Sequence, residues 1–241
     1  MLLKHELIKP SASDFGSYVY CGAKLFLDKS PALDNFRKNK HGSYDLSSKK
    51  VSLLLGQRNE HRCIEWILRK HKGHQNIVFV GTGKDNEQTF PAKINSETLQ
   101  CRPDLILRRD DQTVLYEFKA VSDFRYLQYS EYDSIHAQVW CYKFIEHFKI
   151  DKYLLFRYYE DPFKWNVFPK ETELTEEKLS DDKFISLFEK YLNLIKKLNS
   201  AKVTPKNGFD LDRLNRPVNQ PDKCHHCIYY ILCNPQCEAK K

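Results

Sequence analysis

The stretch from Thr98 to Val121 constrains this chain more than any other. It reads as two strands, Thr98 to Arg108 and Thr113 to Val121, joined by the turn Arg108-Arg109-Asp110-Asp111-Gln112. Side chains alternate across a strand, so Glu117 and Lys119 share one face while Phe118 points to the other. Asp104 follows Pro103 on the first strand, and antiparallel pairing brings it beside Glu117. Two carboxylates buried together are costly unless a cation neutralises them. Mg²⁺ suits such a pair, because it takes one or two carboxylates and completes its shell with water and phosphate oxygens. The backbone carbonyl of Phe118 is a further candidate ligand, and Lys119 is placed to orient or help deprotonate a water. The competing reading is an ion pair on a surface strand, and the D…ExK pattern alone does not decide between them.

The rest of the chain supplies helices for that hairpin. Residues 11–30 read as a capped helix leading into Cys21 and ended by Pro31, and residues 32–48 as a polar loop. Apolar spacing near 3.6 predicts a helix from Ser47 to His71 that carries His61 with Ile64, Ile67 and Leu68. Strands are expected at Asn76–Val80 and Gln88–Ala92, then a helix from Gln128 to Lys149. A strong strand at Tyr153–Tyr159 and a short one at Trp165–Phe168 follow. Ser180-Asp181-Asp182 caps a last amphipathic helix reaching Asn199. The order predicts an α/β fold with a central mixed sheet flanked by helices, in a single domain.

Two more residue sets bear on the hairpin. His61 stands on the helix before the sheet, where a neutral imidazole adds a ligand that favours Mn²⁺ alongside Mg²⁺. Gln138 and Tyr142 are spaced i, i+4 on the helix after Lys119, so they face one way and can bind phosphates or orient the lysine. Taken singly, each reads more readily as packing.

Composition narrows the setting. The formal charge of +7 over 241 residues is compatible with a polyanionic partner. No apolar run approaches the roughly 20 residues of a membrane span. The first residues lack the pattern of a secretory leader, so a cytoplasmic location is expected. Eight cysteines in a reducing compartment stay as thiols or bind metal. Cys63, Cys101 and Cys141 lie singly in apolar stretches and read as small buried hydrophobes. Cys224 and Cys227 form a C-x₂-C knuckle, with Cys233 and Cys237 downstream and Cys21 near the start. One reading is a tail-only Zn²⁺ site of Cys224, Cys227, Cys233 and Cys237. The other is a [4Fe–4S] cluster on Cys21, Cys224, Cys227 and Cys233.

Taken in order, His61, Arg102-Pro103-Asp104, Glu117-Phe118-Lys119 and Gln138…Tyr142 resemble the RecB-like branch of the PD-(D/E)xK nuclease superfamily. The segments around Cys21 and around Cys224-His225-His226-Cys227…Cys233 are similar to those of the CRISPR-associated exonucleases of the fourth Cas family. That resemblance implies a restriction-endonuclease-like core over about residues 47–170. It implies a cysteine-stapled lobe from about 11–30 and 200–241, with the iron–sulfur cluster joining both ends. It implies a metal-dependent DNA exonuclease with Mg²⁺ or Mn²⁺ at His61, Asp104, Glu117 and the Phe118 carbonyl. Single-stranded or frayed DNA ends are the implied substrate and CRISPR integrase proteins the implied partners. A RecB-like repair or phage recombination nuclease, or a non-catalytic iron–sulfur DNA-binding subunit, are the alternatives. Cys21 is followed by Gly22-Ala23 where the family commonly has proline, and Cys237 is an additional cysteine. Basic and aromatic residues interleave at 36–41 and 124–129, a pattern that suits phosphates and unpaired bases, or simply a solvated surface.

Overall fold

A computed structural model of the chain describes residues 7–30, 60–71, 75–81, 88–120, 133–160 and 167–200. The cysteines from Cys224 to Cys237, the two basic–aromatic segments and the predicted helix before residue 60 lie outside them. The described elements are α1 (Ala12–Lys29), α2 (residues 60–70), β1 (Gln75–Val80), β2 (Phe90–Ile94), β3 (Glu97–Cys101), β4 (Leu105–Arg109) and β5 (Gln112–Ala120). They continue with α3 (Asp133–Tyr142), β6 (Lys152–Glu160), β7 (Val167–Glu173) and α4 (Asp181–Asn199).

Five strands form a mixed sheet in the order β1-β4-β5-β6-β7, in which only the β5–β6 pair is parallel. β2 and β3 make a separate two-stranded sheet. The expected strand from Thr98 to Arg108 is therefore two strands in two sheets. Pro103 accounts for the break, because it has no N–H for a ladder. Both hairpins turn through left-handed backbone, at Asn95-Ser96 and Asp110-Asp111, which suits tight two-residue loops.

Each face of the large sheet is covered, so its central strands are apolar on both sides. Leu105, Leu107, Val114, Tyr116, Phe118, Phe156 and Tyr158 bury one face under Cys63, Ile64 and Ile67 of α2. Ile106, Leu115 and Leu155 belong to the other core, with α1, α3 and α4. Trp140 is the hub there: its ring meets Phe15, Phe144, Phe184 and Phe188 at centroid distances of 5.0–5.8 Å. Its indole N–H donates to Asp181 Oδ1 at 2.8 Å, in the first turn of α4. Cys63, Cys101 and Cys141 are all fully buried.

α3 ends at Tyr142, short of the predicted Lys149. Lys143, Phe144 and Ile145 donate instead to carbonyls three residues back, and Ile145 forms a bridge to Ala92 of β2. β7 runs through Pro169, which an edge strand tolerates. No helix among the described residues is long and apolar enough to cross a membrane.

Candidate functional site

The site sits where β4 begins and β5 ends. Leu105 pairs with Tyr116, so Asp104 arrives level with Glu117. Having left the ladder at Pro103, Asp104 rejoins it with its side chain: Oδ2 accepts the Phe118 N–H at 2.7 Å. Its backbone carbonyl accepts the Gly81 N–H at 2.8 Å, so this one residue ties the ends of β1, β4 and β5 together. Gly81 is required at that crossing. A Cβ there would strike the Pro103 carbonyl oxygen and lie 3.0 Å from the Phe79 ring. Arg102 braces the same turn, its Nη2 donating to Gly81 O at 2.8 Å and its Nε at 3.1 Å.

Glu117 is fully buried, and three side chains converge on it. Lys119 Nζ lies 2.5 Å from Oε1, and Gln138 Nε2 donates to the same oxygen at 2.8 Å. The Tyr142 hydroxyl stands 3.2 Å from Oε2 and 3.1 Å from the Arg102 carbonyl, and it accepts a second Gln138 bond at 2.8 Å. Gln138 and Tyr142 thus face one way, as their i, i+4 spacing requires, but the group they hold is Glu117 rather than Lys119. Gly16 of α1 makes this possible by letting α3 approach: a Cβ on it would come within 2.6 Å of Ser134 O and 3.3 Å of Gln138 Cβ.

The charges respond to their crowding. Burial, reinforced by the Glu117 carboxylate, holds the Asp104 carboxyl well above its ordinary value. Burial alone would lower Lys119, but Glu117 and Asp104 outweigh it and hold the ammonium above its usual range. Burial, then Glu117, raises the Tyr142 phenol, which stays a neutral hydroxyl. A polar pocket of about 380 Å³ opens over Asp104, Gln138 and Tyr142, and Glu60, Ser11 and Gln100 are also in its lining.

Of the residues singled out in the sequence, Asp104, Glu117, Lys119, Gln138 and Tyr142 come together. The Phe118 side chain points to the opposite face, as alternation requires, where it packs on Phe156 at 5.6 Å between centroids. His61 does not join them. Its side chain is 74% exposed and its Nε2 lies 3.5 Å from Glu65 Oε1, out on the solvent side of α2. The helix turns Glu60 inward instead, a residue the spacing analysis passed over. Its signal was available: Glu60 precedes the buried Cys63, Ile64 and Ile67 by three, four and seven residues, which is one helical face. Partial burial raises the Glu60 carboxyl above its ordinary value, with Lys119 opposing and Glu117 adding to the shift. Among the described residues, no three His, Cys, Asp or Glu side chains stand close enough to enclose a metal ion.

Cys21 is half-buried, where α1 is interrupted by extended backbone at φ −163°. Its Sγ accepts the Lys24 N–H at 3.4 Å, in the manner of a helix cap for the second half of α1.

No family model and no curated protein matches the chain. Among solved structures, the chain is similar to one described as "Crystal structure of SSO0001", at 16% identity and a TM-score of 0.47, over 96% of this chain and 88% of that one.

Proposed function

We propose that the protein is a metal-dependent DNA nuclease built on a restriction-endonuclease-like core, with Asp104, Glu117 and Lys119 at its reacting centre. The observation that carries this is the convergence of Lys119, Gln138 and Tyr142 on the buried Glu117, beside Asp104, at the wall of an open pocket. Such an arrangement is expensive to maintain without a purpose, because carboxylates drawn this close repel and lose hydration. Two carboxylates with no enclosing third ligand fit an ion that keeps its remaining positions for water and phosphate, as Mg²⁺ and Mn²⁺ do. When bound, that ion supplies Lewis acidity to a phosphodiester and lowers the pKa of a coordinated water.

The chain's own groups divide the remaining work. Asp104 and Glu117 present oxygens whose positions are fixed by Phe118 N–H, Gln138 and Tyr142. Lys119, held against Glu117 Oε1, is placed to orient or help deprotonate the attacking water and to offset charge on the phosphate. His61, on the solvent face of α2, has no part in this scheme.

The wider reading keeps the resemblance: single-stranded or frayed DNA ends as substrate, and a [4Fe–4S] cluster on Cys21, Cys224, Cys227 and Cys233 that staples the chain ends. It also places the protein in the cytoplasm, processing spacer precursors with CRISPR integrase proteins. The test is degradation of end-labelled single- and double-stranded DNA with and without Mn²⁺. Glu117→Ala and Lys119→Ala should abolish cleavage and leave DNA binding; retained cleavage would sink the assignment. For the cluster, anaerobically purified protein should be brown, and Cys21→Ser should bleach it while Cys237→Ser does not. A colourless protein carrying zinc would overturn that part.

A further inference from the structure

The geometry points to Arg102 as the residue that binds the phosphate next to the reacting one, so that the pocket takes two successive phosphates of a nucleic-acid strand rather than one. The inference rests on the nuclease reading for its substrate and adds a binding residue to it.

Placement is the first ground. Arg102 and Asp104 both line the pocket, with only Pro103 between them in the chain. The proline holds Arg102 to extended backbone, and two steps of extended chain span about 6–7 Å. Successive phosphates on a stretched strand have a like spacing. A strand whose reacting phosphate lies at Asp104 and Glu117 therefore brings its neighbour to Arg102.

Rigidity is the second. The Arg102 side chain is exposed, yet its Nε and Nη2 both donate to Gly81 O, at 3.1 and 2.8 Å. Its backbone carbonyl accepts the Tyr142 hydroxyl at 3.1 Å. Side chain and main chain are thus fixed before a ligand arrives, and the rotamer entropy that an arginine ordinarily loses on binding is already lost.

Unused capacity is the third. Among the described residues Arg102 makes no ion pair and its Nη1 group no hydrogen bond, whereas Lys70, Lys143, Lys152, Lys183 and Lys196 each hold a carboxylate. A planar fork with donors to spare suits phosphate oxygens. Its neighbours in the pocket lining add neutral donors. Thr89 Oγ1 donates to Gln100 Oε1 at 2.7 Å, which leaves the amino group of that amide to donate beside the guanidinium.

The experiment is fluorescence-anisotropy binding of the full chain to an end-labelled single strand in Ca²⁺, with cleavage in Mn²⁺ measured alongside. The strand carries one methylphosphonate, an uncharged linkage, at each terminal position in turn. Wild type is compared with Arg102→Gln, Arg102→Lys and Lys93→Gln, an exposed lysine outside the pocket lining. In wild type one linkage should be sensitive, its methylphosphonate weakening binding roughly 10- to 100-fold, the range of a hydrogen bond to a charged group. Arg102→Gln should weaken binding of the unmodified strand by a similar factor, lower the salt slope by about one, and abolish the sensitivity of that linkage. Arg102→Lys, which keeps the charge but loses the fork, should show a smaller loss confined to the same linkage. That variant decides the matter if Arg102→Gln melts far below wild type. Lys93→Gln should keep the wild-type pattern. A merely structural arginine would weaken every strand alike and leave the methylphosphonate penalty in place; that result overturns the inference, as does a wild type with no sensitive linkage. Cleavage without this coupling overturns the inference alone. Coupling at one linkage with no Mn²⁺-dependent cleavage overturns the nuclease reading and leaves Arg102 as a nucleic-acid contact.

Discussion

Replacing Gly16 with alanine sets two opposing effects against each other. Gly16 lies inside α1, where alanine is favoured over glycine by about 1 kcal/mol. On propensity alone the variant would be the more stable protein. The added methyl, however, meets the backbone oxygen of Ser134 at 2.6 Å, and a carbonyl of the first turn of α3 cannot rotate aside as a side chain would. Ordinary contact begins at 3.4 Å, so the two helices must separate by about 0.8 Å. Overpacking of this kind costs about 1–3 kcal/mol, which cancels or exceeds the helical gain. Urea denaturation should therefore show Gly16→Ala at or below wild-type stability, by up to about 2 kcal/mol. Ser17→Ala on the exposed side of α1, with no contact to relieve, should be neutral or slightly stabilising. The shift also reaches the site. Gln138 rides on α3, and moving it this far stretches its 2.8 Å bond to Glu117 past about 3.2 Å, the upper end for an N–H···O bond. The variant should lose the proposed Mn²⁺-dependent cleavage out of proportion to its stability. A Gly16→Ala protein about 1 kcal/mol more stable than wild type would refute the packing argument outright.

Two other perturbations follow from the site's geometry. The folded-state value of Asp104 is raised, so between the ordinary value of 3.8 and the raised one the folded protein holds more protons than the unfolded chain; stability falls as pH rises through that window and the loss is complete above it. Asp104→Asn keeps an oxygen for the Phe118 N–H, and should raise the metal-free melting temperature at about pH 8 while changing it little near pH 4; an equal or lower melting temperature at pH 8 would contradict this. Gly81→Ala forces the Pro103 carbonyl away and should cost about 3 kcal/mol, together with the placement of Asp104; an unchanged urea midpoint would show that the turn yields.

Much of the site was legible because strand alternation and helical spacing are strict. Glu117 and Lys119 on one face, Phe118 on the other, and Gln138 above Tyr142 all follow from counting residues. His61 shows where counting fails. One step along a helix is about 100°, and the apolar residues around position 61 tolerate more than one phase until the sheet selects which of them it covers. The division of Thr98–Arg108 into two strands was hidden for a different reason. Pro103 marked the break, but only tertiary pairing could show that β3 turns to β2 while β4 joins β1. The glycines were the least visible of all. Gly16 looks like a flaw in a helix and Gly81 like a loop residue, and each is explained only by the backbone that passes over it.

The early and late parts of the chain are joined directly. Ile8 and Asn199 exchange two hydrogen bonds, at 2.8 and 2.9 Å, and Ser11 N–H donates to the Tyr191 hydroxyl at 3.0 Å. Phe15 likewise finds Phe184 and Phe188 at ring distances of 6.4 and 5.3 Å. During synthesis, then, the aromatic face of α1 emerges from the ribosome with no α4 to receive it. At about 5–20 residues per second, the intervening chain of roughly 170 residues leaves that face waiting for roughly 10–30 s. α1 can settle on α3 earlier, through Phe15 on Trp140, but the part of its aromatic face that α4 covers is closed last, and a holdase that shields nascent aromatic surface should raise the yield of this protein more than one that acts after release.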